Sequence, residues 1–130
     1  MPHEQLSSIY DRALSVGVES LSTDERELYL IQDVIIELEM GGLSGYLYNR
    51  LPIKGQIPAA IVAMRKYGLD ELAELVGEAL QIFGPYAESG TGKSWSEVLQ
   101  QLDPGNRLAV IEERIDAIDN YGLHKSRITY

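Results

Sequence analysis

The sequence predicts an all-α protein, a single compact domain of about six or seven helices around a central buried helix at roughly residues 24–40. Apolar residues recur at helical spacing in most segments, and glycine, proline or other turn signals separate those segments. Strict apolar alternation, the mark of a strand, is limited to the tail at residues 126–130, which is too short to assign. A length of 130 residues suits one domain, so we expect residues 1–130 to form a single helical domain.

The predicted central helix begins with a capping-box pattern, in which Ser22 is followed three positions later by Glu25. Apolar residues then lie on two flanks, with narrow polar strips between them. A helix that is apolar on most of its circumference must be covered by neighbours, so we expect this helix to be buried. Gly41-Gly42 is expected to end it, since glycine adopts the conformation of a helix C-cap. The two flanks are Leu28, Ile31, Ile35 and Leu38 on one side and Tyr29, Ile36 and Met40 on the other.

Three further elements are predicted around the central helix in the first half of the chain. Residues 3–16 have apolar side chains on one face, which indicates a first helix. The glycine pair is followed by a short helical turn with Tyr46 and Tyr48, and then by a loop over residues 51–57. Proline suits the first helical position, so the next helix is expected to begin at Pro58 and to end at the next glycine.

Three more helices are predicted in the second half of the chain. Asp70 is expected to cap the first of them, and Gly84-Pro85 is expected to stop it. A glycine-rich loop follows and ends where Ser94 or Ser96 opens a short helix. The turn signal Asp-Pro-Gly-Asn precedes the last helix, which is expected over residues 107–120.

Composition limits the classes of function. Twenty acidic residues against eleven basic ones give a net charge of -9. Such a chain repels nucleic acid, whose binding depends on neutralised phosphates, so no direct nucleic-acid binding is expected. Cysteine is absent, and His3 and His124 lack ligand spacing, so we expect no metal and no cofactor. The sequence shows neither a signal peptide nor a membrane span, and we expect a cytoplasmic protein.

Two motifs raise the alternative that the protein is a small enzyme. Residues 87–94, AESGTGKS, fit a relaxed phosphate-loop pattern, but such a loop needs a preceding strand, and the segment before it has helical periodicity. Asp33 and Glu37 lie one helical turn apart and leave a paired-carboxylate enzyme open, although such a pair is usually a solvated strip. No catalytic residue is assigned.

Two acidic strips on helix faces are the remaining signal. Carboxylates three or four positions apart on a helix lie about 5–6 Å from each other, close to the spacing of successive phosphates. Two such strips on adjacent helices could therefore imitate a nucleic-acid backbone and occupy a basic site on a partner protein. The alternative is an ordinary solvated face of an amphipathic helix. The strips are Glu71, Glu74 and Glu78 in the Asp70 helix, and Glu112, Glu113, Asp116 and Asp119 in the last helix.

The segment at residues 28–49, with EMGGLSGYLYN at residues 39–49, resembles a bacterial family of unknown function. That family includes a DNA-mimic protein that binds a transcription factor. Its recurring pattern is an acidic, apolar helix followed by Asn-Gly-Gly-Phe-x-Gln-Tyr-x-x-Asn. Four residues of this chain match the pattern, namely Gly41, Gly42, Tyr46 and Asn49.

Three positions of the pattern differ in this chain. Met40 replaces the asparagine, Leu43 the phenylalanine and Gly45 the glutamine. The similarity extends to about Gly84. It supports a helical fold and implies a role in binding a protein, but a shared fold does not by itself fix a function.

The sequence therefore predicts a non-enzymatic acidic interaction protein, in its most specific form a DNA-mimic-like inhibitor or regulator of a basic, nucleic-acid-binding protein. One alternative is an immunity protein that neutralises a toxin. Another is a small enzyme or nucleotide binder that uses the loop at residues 87–94. The expected partner is a basic protein, with neither a nucleic acid nor a membrane, and a homodimer is left open. The sequence names neither the partner nor the biological process.

Overall fold

A computed structural model of the protein describes residues 21–89 and 94–126, and these residues form helices without any strand. The all-α prediction is confirmed. Both serine caps that the sequence indicates are present, because the Ser22 and Ser94 hydroxyls accept hydrogen bonds from the backbone N–H groups of Glu25 and Glu97. The elements are α1 (Thr23–Arg50), α2 (Gln56–Lys66), α3 (Asp70–Ser89), α4 (Trp95–Leu102), α5 (Arg107–Asp116) and a 3-10 helix (Asp119–Lys125).

Helix α1 is bent back on itself at Gly42. This glycine has φ 69° and ψ -172°, a region that only glycine occupies readily. The Arg50 side chain nevertheless bonds that of Asp33, 17 positions earlier, whereas a straight helix would separate the two residues by about 25 Å. The first limb (residues 23–41) and the second limb (residues 43–50) therefore lie side by side as a tight helical hairpin. The predicted break at the glycine pair is present, and helix resumes immediately after it.

The hydrophobic core is shared between α1 and α3. Helix α1 packs against α2 and α5, and α3 packs against α2, α4, α5 and the 3-10 helix. Helix α4 is attached to the second limb of α1 by a 2.7 Å hydrogen bond from Trp95 Nε1 to Ser44 Oγ. The Trp95 ring also lies 5.3 Å from that of Phe83 in α3. The largest fully buried side chains include Ile31, Ile35, Leu43, Tyr46 and Leu47 of α1, and Leu72, Leu75 and Phe83 of α3.

The predicted flank of Leu28, Ile31, Ile35 and Leu38 is buried, but the burial of α1 differs from the prediction at Met40 and in the polar strips. Met40 is 82% exposed, whereas Asp33 is only 1% exposed and Gln32 is 5% exposed. The reason is the hairpin: the second limb places Arg50 against the side of the first limb that carries Asp33 and Glu37. The second limb therefore covers the polar strip with Asp33 and Glu37, which was expected to face solvent. Met40, at the end of one apolar flank, is exposed to solvent.

Helix α3 does not stop at Gly84-Pro85, which corrects the sequence prediction, but continues to Ser89. Proline disfavours the helical conformation of the residue before it mainly through a clash with Cβ, which Gly84 lacks. The proline also removes the hydrogen bond to the carbonyl four positions earlier. That position is Gln81, which is exposed, so water can solvate the freed carbonyl. The expected loop over residues 84–94 is therefore helical up to Ser89, and residues 90–93 lie outside the described part of the chain.

Two other boundaries differ from the prediction. Helix α2 begins at Gln56, two residues before Pro58, because Gly55 with φ 80° forms its N-cap. The helix predicted over residues 107–120 ends at Asp116, and the chain then enters the 3-10 helix, in which Asn120, Tyr121 and Gly122 have positive φ. The predicted helix at residues 3–16 and most of the tail at residues 126–130 lie outside the described residues.

No helix in the described segments is both long enough and apolar enough to span a membrane.

We expect Ile35→Asp to destabilise the fold by about 4 kcal/mol or more, because it places an unpaired carboxylate at a position that is 1% exposed. Val62→Asp is the matched control, since Val62 is 65% exposed. Urea unfolding followed by circular dichroism measures both. Equal midpoints for the two variants would show that Ile35 does not lie in the core.

We expect Gly42→Ala to lower the free energy of unfolding by roughly 2 kcal/mol, because alanine is strained at this φ and ψ. A Cβ at this position would also collide with Oε1 of Glu112. Gly41→Ala is the control, because a Cβ there meets nothing within 4 Å, and alanine in a helix is more stable than glycine by about 0.5–1 kcal/mol. Thermal melts of the two variants should therefore shift in opposite directions. A Gly42→Ala variant as stable as Gly41→Ala would contradict the bend.

Candidate functional site

The acidic strip of α3 lies on its outer side, as the sequence predicts. Glu71 and Glu74 are exposed. The side chain of Glu78 is 40% exposed, and one of its carboxylate oxygens, Oε2, lies 3.5 Å from NH1 of Arg114 in α5. Because α3 and α5 pack against each other, this ion pair joins the two predicted strips and adds one positive charge between them.

Most of the second strip is also exposed. Glu113 and Asp116 lie on the outer side of α5. The side chain of Asp119, in the 3-10 helix, is 93% exposed, with Oδ2 at 4.0 Å from Nε2 of His124. An ion pair this exposed contributes little to stability.

Glu112 differs from the other members of its strip. It was expected to face solvent, but it is half-buried, and its Oε1 accepts a 3.0 Å hydrogen bond from the backbone N–H of Leu43. Leu43 is the first residue after the bend in α1, where the second limb begins with unsatisfied N–H groups. A carboxylate at the positive end of a helix is favourable. The structure thus gives Glu112 a role in holding α5 on the hairpin of α1.

Glu39 is an acidic neighbour of these strips that the sequence analysis did not identify. Burial raises the pKa of the Tyr121 hydroxyl, and the carboxylates of Glu39 and Asp116 add to the rise. Both acids are therefore near Tyr121, although they belong to different helices. We use the term acidic surface for Glu39, Glu71, Glu74, Glu78, Glu113, Asp116 and Asp119. Only the packing of α5 against α1 brings Glu39 near the α5 acids, so no sequence pattern could reveal it.

A second polar group closes the hairpin of α1. Arg50 donates from Nε to Oδ2 of Asp33 and from NH2 to Oδ1, both at 2.8 Å, and NH2 also donates to Oε1 of Glu37 at 3.0 Å. Asn49 Nδ2 donates to Oε2 of Glu37 at 3.0 Å, and Gln56 Nε2 donates to Oδ2 of Asp33 at 3.2 Å. We call these five residues the hairpin cluster. The hydrogen bonds to Asp33 raise the pKa of the Arg50 guanidinium above its usual range.

The four residues of the glycine-tyrosine-asparagine motif have separate places in this arrangement. Gly41 is exposed and helical, and Gly42 makes the bend. Asn49 belongs to the hairpin cluster. Tyr46 is fully buried, and its hydroxyl makes no hydrogen bond within the described residues. Burial raises the pKa of this hydroxyl well above its usual range, and the nearby Asp33 carboxylate raises it further.

The comparison with known proteins assigns the chain to a family. The model of the family described as DMP19-like protein matches residues 19–126. The chain belongs to the DMP19-like family. The family name stands for DNA mimic protein 19, and it is compatible with a protein that imitates DNA. No curated protein and no solved structure matches the chain significantly.

The chemistry open to this DMP19-like protein follows from these contacts. Asp33 and Glu37 both accept hydrogen bonds from Arg50, so both carboxylates are engaged within the hairpin cluster. In the described segments no cluster of three or more histidine, aspartate or glutamate side chains could hold a metal ion. Residues 87–89 of the phosphate-loop motif belong to helix α3, so a helix and not a strand leads into the motif, which lacks the context that such a loop needs.

We expect Tyr46→Phe to leave the fold intact and to raise the free energy of unfolding by about 1 kcal/mol, because it removes a buried hydroxyl without a hydrogen bond. Tyr48→Phe is the control, since Tyr48 is 51% exposed and the change should alter stability by less than about 0.5 kcal/mol. Denaturant unfolding at neutral pH measures both variants.

The same pair of variants tests the raised pKa of Tyr46. An unfolded tyrosine ionises near pH 10, whereas the buried hydroxyl stays neutral to higher pH. Because the unfolded state loses this proton before the folded state does, stability is unaffected by the ionisation below pH 10 and falls as pH rises further. Stability should therefore fall less steeply above pH 10 in Tyr46→Phe than in the parent protein. Loss of stability in Tyr46→Phe at neutral pH would show that the hydroxyl is hydrogen-bonded in solution.

Proposed function

We propose that this protein is a non-enzymatic interaction protein that acts as a DNA-mimic-like inhibitor or regulator of a basic, nucleic-acid-binding protein. The observation that carries the proposal is the acidic surface across the packed helices α3 and α5. Its exposed carboxylates include Glu74 and Glu113, and the helices that carry them are in contact. Membership of the DMP19-like family supports the same conclusion.

The spacing of the carboxylates supports imitation of a phosphate backbone. Residues three or four positions apart on a helix place their Cβ atoms about 5–6 Å from each other, and Glu71, Glu74 and Glu78 follow this spacing. Glu113 and Asp116 repeat it on α5. The two rows are fixed by a packed helical core and not by a mobile loop, so the charges are already arranged before the partner arrives, which lowers the ordering cost of binding.

Net charge supports association with a basic partner. A charge of -9 on 130 residues speeds the diffusional encounter with a positive surface and disfavours acidic partners.

The absence of cysteine fits a reducing compartment, and we therefore propose that the interaction takes place in the cytoplasm.

The proposal predicts that binding weakens steeply with salt. The partner is first captured from the source cell at low ionic strength. Its association rate constant should fall as the sodium chloride concentration rises, because salt screens exposed charges, with a Debye length of about 8 Å at physiological ionic strength. Duplex DNA should compete for the same partner surface. Stopped-flow or surface plasmon resonance measurements at several salt concentrations give both results.

Charge reversal locates the surface. Glu113→Lys and Asp116→Lys should each slow association several-fold at low salt, while Glu97→Lys should have little effect. All three residues are exposed and all three changes alter the net charge equally, but Glu97 lies on α4, outside the acidic surface. Glu112 is unsuitable for this test because its carboxylate bonds the Leu43 backbone. Equal effects of the three variants, or binding that ignores both salt and DNA, would exclude the DNA-mimic mechanism.

A further inference from the structure

A cavity of about 530 Å³ lies between the turn that joins α1 to α2 and the middle of α3. Most of its lining is apolar, and the volume lies within the range of roughly 300–1,000 Å³ that is typical of small-molecule sites. Its lining includes Arg50, Ile53, Lys54, Ile57, Leu80 and Gly84.

Backbone hydrogen bonds hold the wall that the turn contributes. The N–H of Ile53 donates to the carbonyl of Arg50 at 3.0 Å, and the N–H of Gln56 donates to the carbonyl of Ile53 at 3.2 Å. Gly55, with φ 80°, then directs the chain into α2. Because the turn is closed by these bonds, the cavity is formed before any ligand enters.

The wall that α3 contributes leaves open space. A Cβ added at Gly84 would meet nothing within 4 Å, and Leu80 lies one helical turn earlier. At 100° per residue, Leu80 lies about 120–180° around the helix axis from Glu71, Glu74 and Glu78, and Gly84 lies about 80–140° from them. The cavity is therefore separate from the acidic surface, although both use α3.

The charged groups that line the cavity are both cations, in a protein of net charge -9. Arg50 already forms ion pairs with Asp33 and Glu37. Its guanidinium nitrogens Nε and NH2 are therefore not free for the bidentate recognition of a phosphate. Lys54 is exposed and has no ion pair in the part of the chain that the structure describes. A single ammonium group beside an apolar pocket suits one carboxylate that carries a hydrocarbon chain.

We propose that this cavity binds a small amphipathic carboxylate of the medium-chain fatty acid class. The carboxylate pairs with Nζ of Lys54, and the alkyl chain lies against Ile53, Ile57 and Leu80. This inference does not depend on the proposed DNA-mimic function, since it concerns a different surface of the molecule.

The test is a titration of the full chain with octanoate, followed by calorimetry and by amide chemical-shift changes. Octanoate should bind saturably, with shift changes centred on residues 50–58 and 80–84. Octylamine and octanol have the same chain without the negative charge, and each should bind at least about tenfold more weakly, which corresponds to about 1.4 kcal/mol.

Variants of Lys54 and a matched control locate the site. Lys54→Glu should weaken octanoate binding about tenfold or more, whereas Lys54→Arg, which keeps the charge, should stay within about twofold of the parent. Arg26→Glu removes an exposed cation outside the cavity and should leave binding unchanged. Equal loss in Arg26→Glu and Lys54→Glu would show a general charge effect and overturn the assigned site.

The three probes decide the ligand class. Octanol or octylamine binding as tightly as octanoate would overturn the carboxylate assignment, and shift changes centred elsewhere would overturn the location. No saturable binding of octanoate up to millimolar concentration would overturn the proposal as a whole.

Discussion

The arrangement of this protein depends on the ion pair between Asp33 and Arg50. Asp33 is 1% exposed, and a buried carboxylate without a partner is strongly destabilising, by about 3–5 kcal/mol when one member of such a pair is removed. The two parallel 2.8 Å hydrogen bonds from Arg50 fix the distance and the rotation between the two limbs of α1. Gln56 adds a bond to the same carboxylate, so one buried charge joins the two limbs of the hairpin and the first residue of α2.

Gly42 and Glu112 connect the hairpin to the rest of the fold. The bend requires a residue without Cβ, and the space that a Cβ would occupy is taken by the carboxylate of Glu112. That carboxylate caps the second limb through Leu43 and so positions α5 on α1. Since α5 carries Glu113 and Asp116, the orientation of two of the seven residues of the acidic surface depends on this cap. One strip of acids thus contains a residue that maintains the fold and residues that face solvent.

Helix α3 separates two kinds of surface chemistry. Its acidic side continues onto α5 and carries the proposed binding surface, while Leu80 and Gly84 line the cavity at the turn after α1. The cations at that cavity and the anions on α3 and α5 are kept apart in space, although they are mixed in the sequence. A protein with net charge -9 can thus present a negative surface to a macromolecule and keep a local positive group for a small anion.

The sequence alone determined the helical class and those elements whose signals are local. Helical periodicity and serine caps operate over three or four residues, and so the starts of α1 and α4, the turn before α5 and the break at Gly42 followed from the residues themselves. The exposed acids of α3 and the other acids of the last strip also followed, because charged residues opposite an apolar stripe face solvent.

Only the tertiary structure decided which polar residues are buried and paired. Asp33 appeared solvated, yet it meets Arg50, which lies 17 positions away, and Glu112 meets Leu43, which lies 69 positions away. The nearness of Glu39 to Tyr121 also had no sequence signal. These features depend on which surfaces meet when helices pack, and periodicity along one helix carries no information about the residue that a distant segment brings to its face.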